Sequence, residues 1–271
     1  MASSVVLLTV LVVAAMAQED LASAADTKRA NLRIIRGQDA QEGQFPWQAW
    51  IECIRFNFLA SSCGGSLITA IHILTATHCV NSILLCQVSL GLISLDKKGY
   101  SYFVHPSNMI IYDNKGQRYV DDIAIIRLNS PVRLTENIQP IRLPQEFQNS
   151  GTLSGLTAIV SGWGKTSDNE TGLHKFLQYA KVKIMLQNRC SNFYLNNFSL
   201  MITNGQICTD FSSSNVCNGD SGGPLVILEK DNKWTLIGIV SLGVSPCEGG
   251  TPSIYTAVSA YLRWIYQNIN N

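Results

Sequence analysis

"SSNVCNGDSGGPLVIL", residues 213–228, sets one serine, Ser221, between an aspartate and two glycines, four residues after a cysteine. Gly219-Asp220-Ser221-Gly222-Gly223 satisfies G-x-S-x-G, the tight turn that lifts a serine above the sheet of an α/β-hydrolase, so that scaffold is the first to test. It requires a histidine after the serine. All four histidines, His72, His78, His105 and His174, precede Ser221, which excludes the order serine, acid, histidine. The order acid, histidine, serine would draw on an early acid such as Asp39, but the strand-rich pattern argues against an α/β scaffold. The order histidine, acid, serine remains, and beside it the plainer reading of a glycine-rich turn between two strands.

Working outward, the chain from Ile34 on is built of short apolar runs rich in Ile, Val, Trp and Tyr and punctuated by Gly, Asn, Ser or Pro. "WQAWIECIRF" (47–56) alternates, while "GGSLITAIHILTA" (64–76), "DDIAIIRL" (121–128) and "KWTLIGIVSLGV" (233–244) are continuous. Many short strands point to a barrel or sandwich. Only the end reads as helix: Val258, Tyr261, Leu262, Ile265 and Ile269 fall at helical spacing, with Ser259 as the candidate N-cap.

Composition excludes several classes. Hydrophobic residues make up 46% and charged ones 14%, so the 271 residues can bury a sizeable core. Twenty Lys+Arg against nineteen Asp+Glu leave +1, with no field for nucleic acid, an anionic membrane or an acidic substrate. The apolar run from Val5 to Ala17 is too short to span a bilayer and ends in small residues, the pattern of a secretory signal over 1–17; a buried core helix is the alternative. No later run reaches membrane-spanning length. Eight cysteines, Cys53, Cys63, Cys79, Cys86, Cys190, Cys208, Cys217 and Cys247, in a secreted chain favour disulfides, and no zinc-like spacing occurs. Asn169 and Asn197 head glycosylation patterns.

A serine hydroxyl is a weak nucleophile until an imidazole takes its proton, and the imidazole needs a carboxylate to fix its tautomer. His78 is the best-placed base because it adjoins Cys79; His72 alternates within a strand, His105 precedes Pro106, and His174 lies in a polar loop. Asp122 heads the apolar run 123–126, where a carboxylate needs a hydrogen-bonding partner; otherwise it starts an edge strand beside Asp121.

Eight stretches, "RIIRG", "GQFPWQAW", "CGGSLI", "LTATHC", "DDIAIIRL", "SGWGKT", "CNGDSGGPL" and "PSIYTAVSAYLRWI", together resemble the chymotrypsin-like (trypsin-like) serine endopeptidases, most of all the insect and crustacean digestive chymotrypsins and collagenases. The resemblance runs from Ile34 to Asn271. It implies an all-β fold of two antiparallel six-stranded β-barrels with a C-terminal α-helix and a site between the barrels. By position it makes Ser221 the nucleophile, His78 the general base and then acid, and Asp122 the group orienting His78. Gly219 and Ser221 would supply the oxyanion-hole N–H groups. It also implies activation by cleavage after Arg33 of an 18–33 propeptide, freeing Ile34 to pair with Asp220. Lys28-Arg29 is a rival cleavage site, and Arg36 departs from the family's usual glycine.

The resemblance pairs Cys63 with Cys79, Cys190 with Cys208 and Cys217 with Cys247; Cys53 and Cys86 remain as a fourth pair. Asn215 stands at the expected pocket floor, where an aspartate would hold basic residues, with Gly243 at the mouth, Ser253 on the far wall and Ser241 beside the cleft; Leu242 replaces a common aromatic residue. Aromatic or large apolar side chains are expected, with some tolerance of polar ones through Asn215. Between Cys86 and Tyr112 the only acid is Asp96, so no calcium or other cofactor is expected. The expected partners are polypeptide substrates, an activating trypsin-like protease and protein protease inhibitors, not nucleic acid or membrane, and the chain is expected to be a secreted monomer. The competing readings are an inactive protease homologue acting as a binding or regulatory protein, and a cascade protease, which would carry an added N-terminal module.

Overall fold

Fourteen strands gather into two antiparallel sheets in a computed structural model that describes residues 37–97, 99–112, 119–210 and 214–270. The expected signal (1–17), propeptide (18–33), the Arg33–Ile34 bond and Arg36 lie outside the described residues.

In chain order the first sheet comprises β2 (Gln48–Arg55), β3 (Ala60–Thr69), β4 (His72–Thr75), β5 (Ile83–Leu90), β6 (Tyr100–Val104), β7 (Met109–Ile111) and β8 (Ala124–Arg127). They lie in the order β6-β5-β2-β3-β4-β8-β7. The second sheet holds β1 (Gln38–Asp39), β9 (Thr157–Gly162), β10 (Gln178–Lys183), β11 (Gln206–Thr209), β12 (Pro224–Leu228), β13 (Trp234–Leu242) and β14 (Ser253–Ala257), in the order β1-β10-β9-β12-β13-β14-β11.

The expected pair of closed six-stranded barrels is therefore corrected: there are two seven-stranded sheets, one curling through 222° and the other not closed. Closure needs the end strands to pair in register. Among the described residues no ladder joins β6 to β7 or β1 to β11, and β1 is only two residues long. Where β10 runs on towards β11, the contact is one isolated bridge, Ile184 with Thr209.

Two cores account for the strand-rich pattern. Ile51, Leu67, Ile73, Ile125 and Ile126 belong to the first, while Val160, Val182, Leu225, Ile237 and Tyr255 belong to the second. Among the described residues four α-helices flank the sheets: α1 (Thr77–Val80), α2 (Ser150–Leu153), α3 (Gln187–Phe198) and α4 (Leu262–Ile269). In α4, Leu262 and Ile265 are buried in the first core, as their spacing predicts. Its entry differs from expectation. A 3₁₀ turn over Val258–Tyr261 precedes it, so the N-cap is Tyr261, with no side-chain cap bond, rather than Ser259. The twelve-residue α3 escapes the sequence pattern because only Cys190 and Tyr194 of its residues are buried, and Asn-rich sequence has modest helix propensity.

Four disulfides, Cys53–Cys86, Cys63–Cys79, Cys190–Cys208 and Cys217–Cys247, tie the sheets. Among the described residues no helix is long and apolar enough to cross a membrane.

Candidate active site

His78 sits on α1, directly after β4, and its neighbours fix it on both sides. Thr77 Oγ1 donates to the Ile123 carbonyl at 2.8 Å, and Cys79 is bonded to Cys63 on β3. Asp122 lies just ahead of β8, and β8 sits between β4 and β7, so this acid does not start an edge strand. Its carboxylate is buried, at 4% residue exposure, and accepts three hydrogen bonds: from His78 N at 3.0 Å, His78 Nδ1 at 2.7 Å and Ser241 Oγ at 2.6 Å. Burial alone would raise the Asp122 pKa, but the hydrogen bonds and charge interaction with His78, with the Ser241 bond, outweigh it and hold the carboxyl below its ordinary range. An ionised carboxylate can only accept, so Nδ1 carries a proton and Nε2 is left to receive one.

Ser221 occupies the loop between β11 and β12, which backbone bonds pin from several sides. Gly64 N donates to the Ser221 carbonyl at 2.7 Å, Gly222 N to Val240 O at 2.8 Å, and Gly223 N to Asp220 O at 2.9 Å. Gly219 has φ +104°, and a Cβ there would lie 2.4 Å from Leu173 Cδ2, so the position admits only glycine without rearrangement. Among the described residues, neither the Gly219 nor the Ser221 N–H has a protein acceptor.

His78, Asp122 and Ser221 all line one cleft of about 640 Å³, to which the first sheet brings the histidine and acid and the second brings the serine. No hydrogen bond joins Ser221 Oγ to His78 Nε2 among the described residues; such contacts often tighten only when substrate binds.

The other candidates divide. Gly243 and Ser241 line the cleft, although the Ser241 hydroxyl is directed at Asp122. Asn215 and Ser253 do not line it. Buried behind the wall, Asn215 Nδ2 donates to Cys247 O at 3.0 Å and Thr251 O at 3.1 Å, while its Oδ1 accepts from Val216 N and Ser253 Oγ. Both ends of the Asn215 amide are thus engaged within the protein. The cleft walls mix apolar residues, Val216, Val240, Leu242 and the Cys217–Cys247 pair, with polar ones, Thr77, Asn81, Tyr119, Asn218 and Ser245.

Asp220 is fully buried and accepts from Gly164 N and Cys217 N, each at 2.9 Å. Burial pushes its carboxyl up to about 6 against those two N–H groups, and among the described residues no cation pairs with it. Asn169 and Asn197 are exposed, the latter on α3. Among the described residues two clusters bring possible metal ligands together, Cys63/His78/Cys79 and Asp168/Cys217/Cys247, but each contains a disulfide pair with no thiolate to offer. Sequence reasoning missed Thr77 and Thr256, whose Oγ1 donates to the Asp122 carbonyl at 2.9 Å. A threonine on a strand, like Thr256, or on a short helix, like Thr77, carries no sign that separates this from ordinary packing.

A serine and a carboxylate-bound histidine lining one cleft are the groups that a serine hydrolase uses. The trypsin family profile matches residues 34–265, and the chain belongs to that family of serine endopeptidases. Mouse (Mus musculus) chymotrypsin-C is 34% identical over 244 residues, covering 88% of this chain and 89% of that protein. Rat (Rattus norvegicus) chymotrypsin-C is 33% identical over 246 residues, covering 88% and 89%. A solved structure of HL collagenase shares 33% identity with a TM-score of 0.76, covering 87% of this chain and 98% of its own.

Proposed function

We propose that this protein is a secreted endopeptidase, made as a zymogen, that hydrolyses peptide bonds through an acyl-enzyme on Ser221. Ser221 Oγ attacks the scissile carbonyl carbon while His78 Nε2 takes its proton, and Asp122 stabilises the resulting imidazolium. The Gly219 and Ser221 N–H groups receive the developing oxyanion. His78 then protonates the leaving amine, and water, activated by the same imidazole, releases the acyl group. The observation that carries this reading is the 2.7 Å contact of His78 Nδ1 with buried Asp122, made on the cleft that Ser221 also lines.

Two finer points have separate support. The closed Asn215 amide and the apolar part of the wall, Val216, Val240 and Leu242, favour aromatic or large apolar side chains over basic ones; Asp122, held by His78 and Ser241, is the only acid among the described lining residues. For activation, a buried Asp220 with no cation beside it among the described residues suits an ammonium delivered when cleavage after Arg33 frees Ile34. The four disulfides favour secretion, and the chymotrypsin-C relatives favour a digestive role.

The test is to cut purified precursor with trypsin, sequence the new N-terminus and profile a peptide library. Ile34-Ile35 at the terminus and cleavage after Phe, Tyr, Leu or Met are expected. Selective cleavage after Lys or Arg would overturn the pocket argument. No cleavage by a correctly processed chain would favour the binding-protein reading.

A further inference from the structure

His78 stands on a helix of only four residues, too short to hold its own orientation, and its N-cap, Ala76, makes no side-chain cap bond. Its geometry must come from outside. The His78 N–H is tied to Asp122, and the Cys79 side chain to Cys63. The carbonyl side has a different anchor: Arg55 Nη2 donates to His78 O at 3.0 Å and Nη1 to Asn81 O at 2.9 Å. A guanidinium fork suits two carbonyls at a helix C-terminus, since these are the acceptors that the helix leaves unpaired and the end where positive charge is favoured.

Arg55 is itself fixed. It ends β2 at a shift of register against β5 between Ile54 and Arg55, an irregularity of the kind that re-aims a side chain. Two residues earlier, Cys53 is bonded to its cross-strand partner Cys86. At the turn, Arg55 N donates to Leu59 O at 3.0 Å and Phe58 N to Arg55 O at 2.8 Å. The fourth disulfide and the hairpin together hold the guanidinium against the far end of the histidine helix.

We propose that Arg55 is a positioning residue for His78: it sets the rotation of α1, and so the direction of Nε2 towards Ser221, by clamping the His78 and Asn81 carbonyls. This rests on the functional reading above. Arg55 touches neither substrate nor the reacting atoms in this scheme and acts only through the imidazole.

The test uses the activated full chain with Arg55→Ala and Arg55→Lys, a peptide anilide substrate and thermal melts. Loss of the clamp is expected to lower kcat by about 10- to 100-fold with KM little changed, the effect of misplacing one group by about an ångström. Lysine, able to reach one carbonyl, should restore part of the loss. In a His78→Ala background the effect of Arg55→Ala should disappear, which a general structural role would not produce. A folded Arg55→Ala enzyme with unchanged kcat would overturn the proposal, as would an equal loss in the His78→Ala background. If Arg55→Ala does not fold, Arg55→Gln, which keeps the stem and can donate to one carbonyl, is measured by the same two criteria. Wild-type chain without hydrolytic activity would instead overturn the functional reading on which the proposal stands.

Discussion

Asp122→Asn changes one atom in the most constrained part of the cleft, and the hydrogen bonds around it determine the outcome. Oδ1 accepts from the His78 backbone N–H, whereas Oδ2 accepts from both His78 Nδ1 and Ser241 Oγ. An amide placed with its NH2 at Oδ1 would point donor at donor, leaving a buried N–H unpaired at a cost of about 1–3 kcal/mol. The amide therefore keeps its oxygen there and turns its NH2 towards Nδ1. Nδ1 must then accept, the ring proton moves to Nε2, and the imidazole can no longer receive the proton of Ser221. Ser241 can adapt by accepting through its own oxygen, so the fold is retained. The expected loss in kcat is roughly 10⁴-fold, or about 5 kcal/mol of transition-state stabilisation. Steady-state hydrolysis of a Phe anilide by the activated variant, with near-UV circular dichroism as the folding control, measures it. A folded Asp122→Asn enzyme within tenfold of wild type would refute the tautomer argument.

Three further outcomes are expected. Gly219→Ala forces a side chain onto a φ of +104° and against Leu173, so it should lower kcat about 10²–10³-fold through the displaced oxyanion donor and lower the melting temperature as well. The Asp220 pKa stands above its unfolded value, so in the uncut chain its contribution to stability is complete below about pH 4 and lost as pH rises through about 6, with an upper size of roughly 3 kcal/mol. Melts of uncut chain should accordingly show lower stability at pH 8 than at pH 5, with Asp220→Asn flattening the difference and cleavage after Arg33 opposing it. Replacing Cys53 and Cys86 by serine opens a link of sequence separation 33 and should cost about 4 kcal/mol, read by chemical denaturation.

The sequence carries the strands by local rules, whereas the roles of His78 and Asp122 come from the family resemblance, since the residues alone leave an edge strand open for Asp122. Alternating or continuous β-branched runs cannot sit comfortably in solvent, and a carboxylate at the head of "IAII" must find a donor. Closure is different: it depends on whether end strands far apart in the chain meet in register, and no local pattern records the single Ile184–Thr209 bridge that stands where a ladder was expected. Asn215 shows the same limit. Its identity excludes a buried acid at that position, but only the fold reveals that its amide is closed off by the carbonyls of Cys247 and Thr251. Arg55 carries no motif at all, since its role comes from a register irregularity at the end of β2.

The most direct measurement is covalent labelling with a fluorophosphonate, followed by peptide mass spectrometry. The account expects a single stoichiometric adduct on Ser221 in chain cleaved after Arg33, and almost none in the uncut chain or in His78→Ala. Cleaved, folded chain that stays unlabelled, or carries the adduct on another serine, would contradict it.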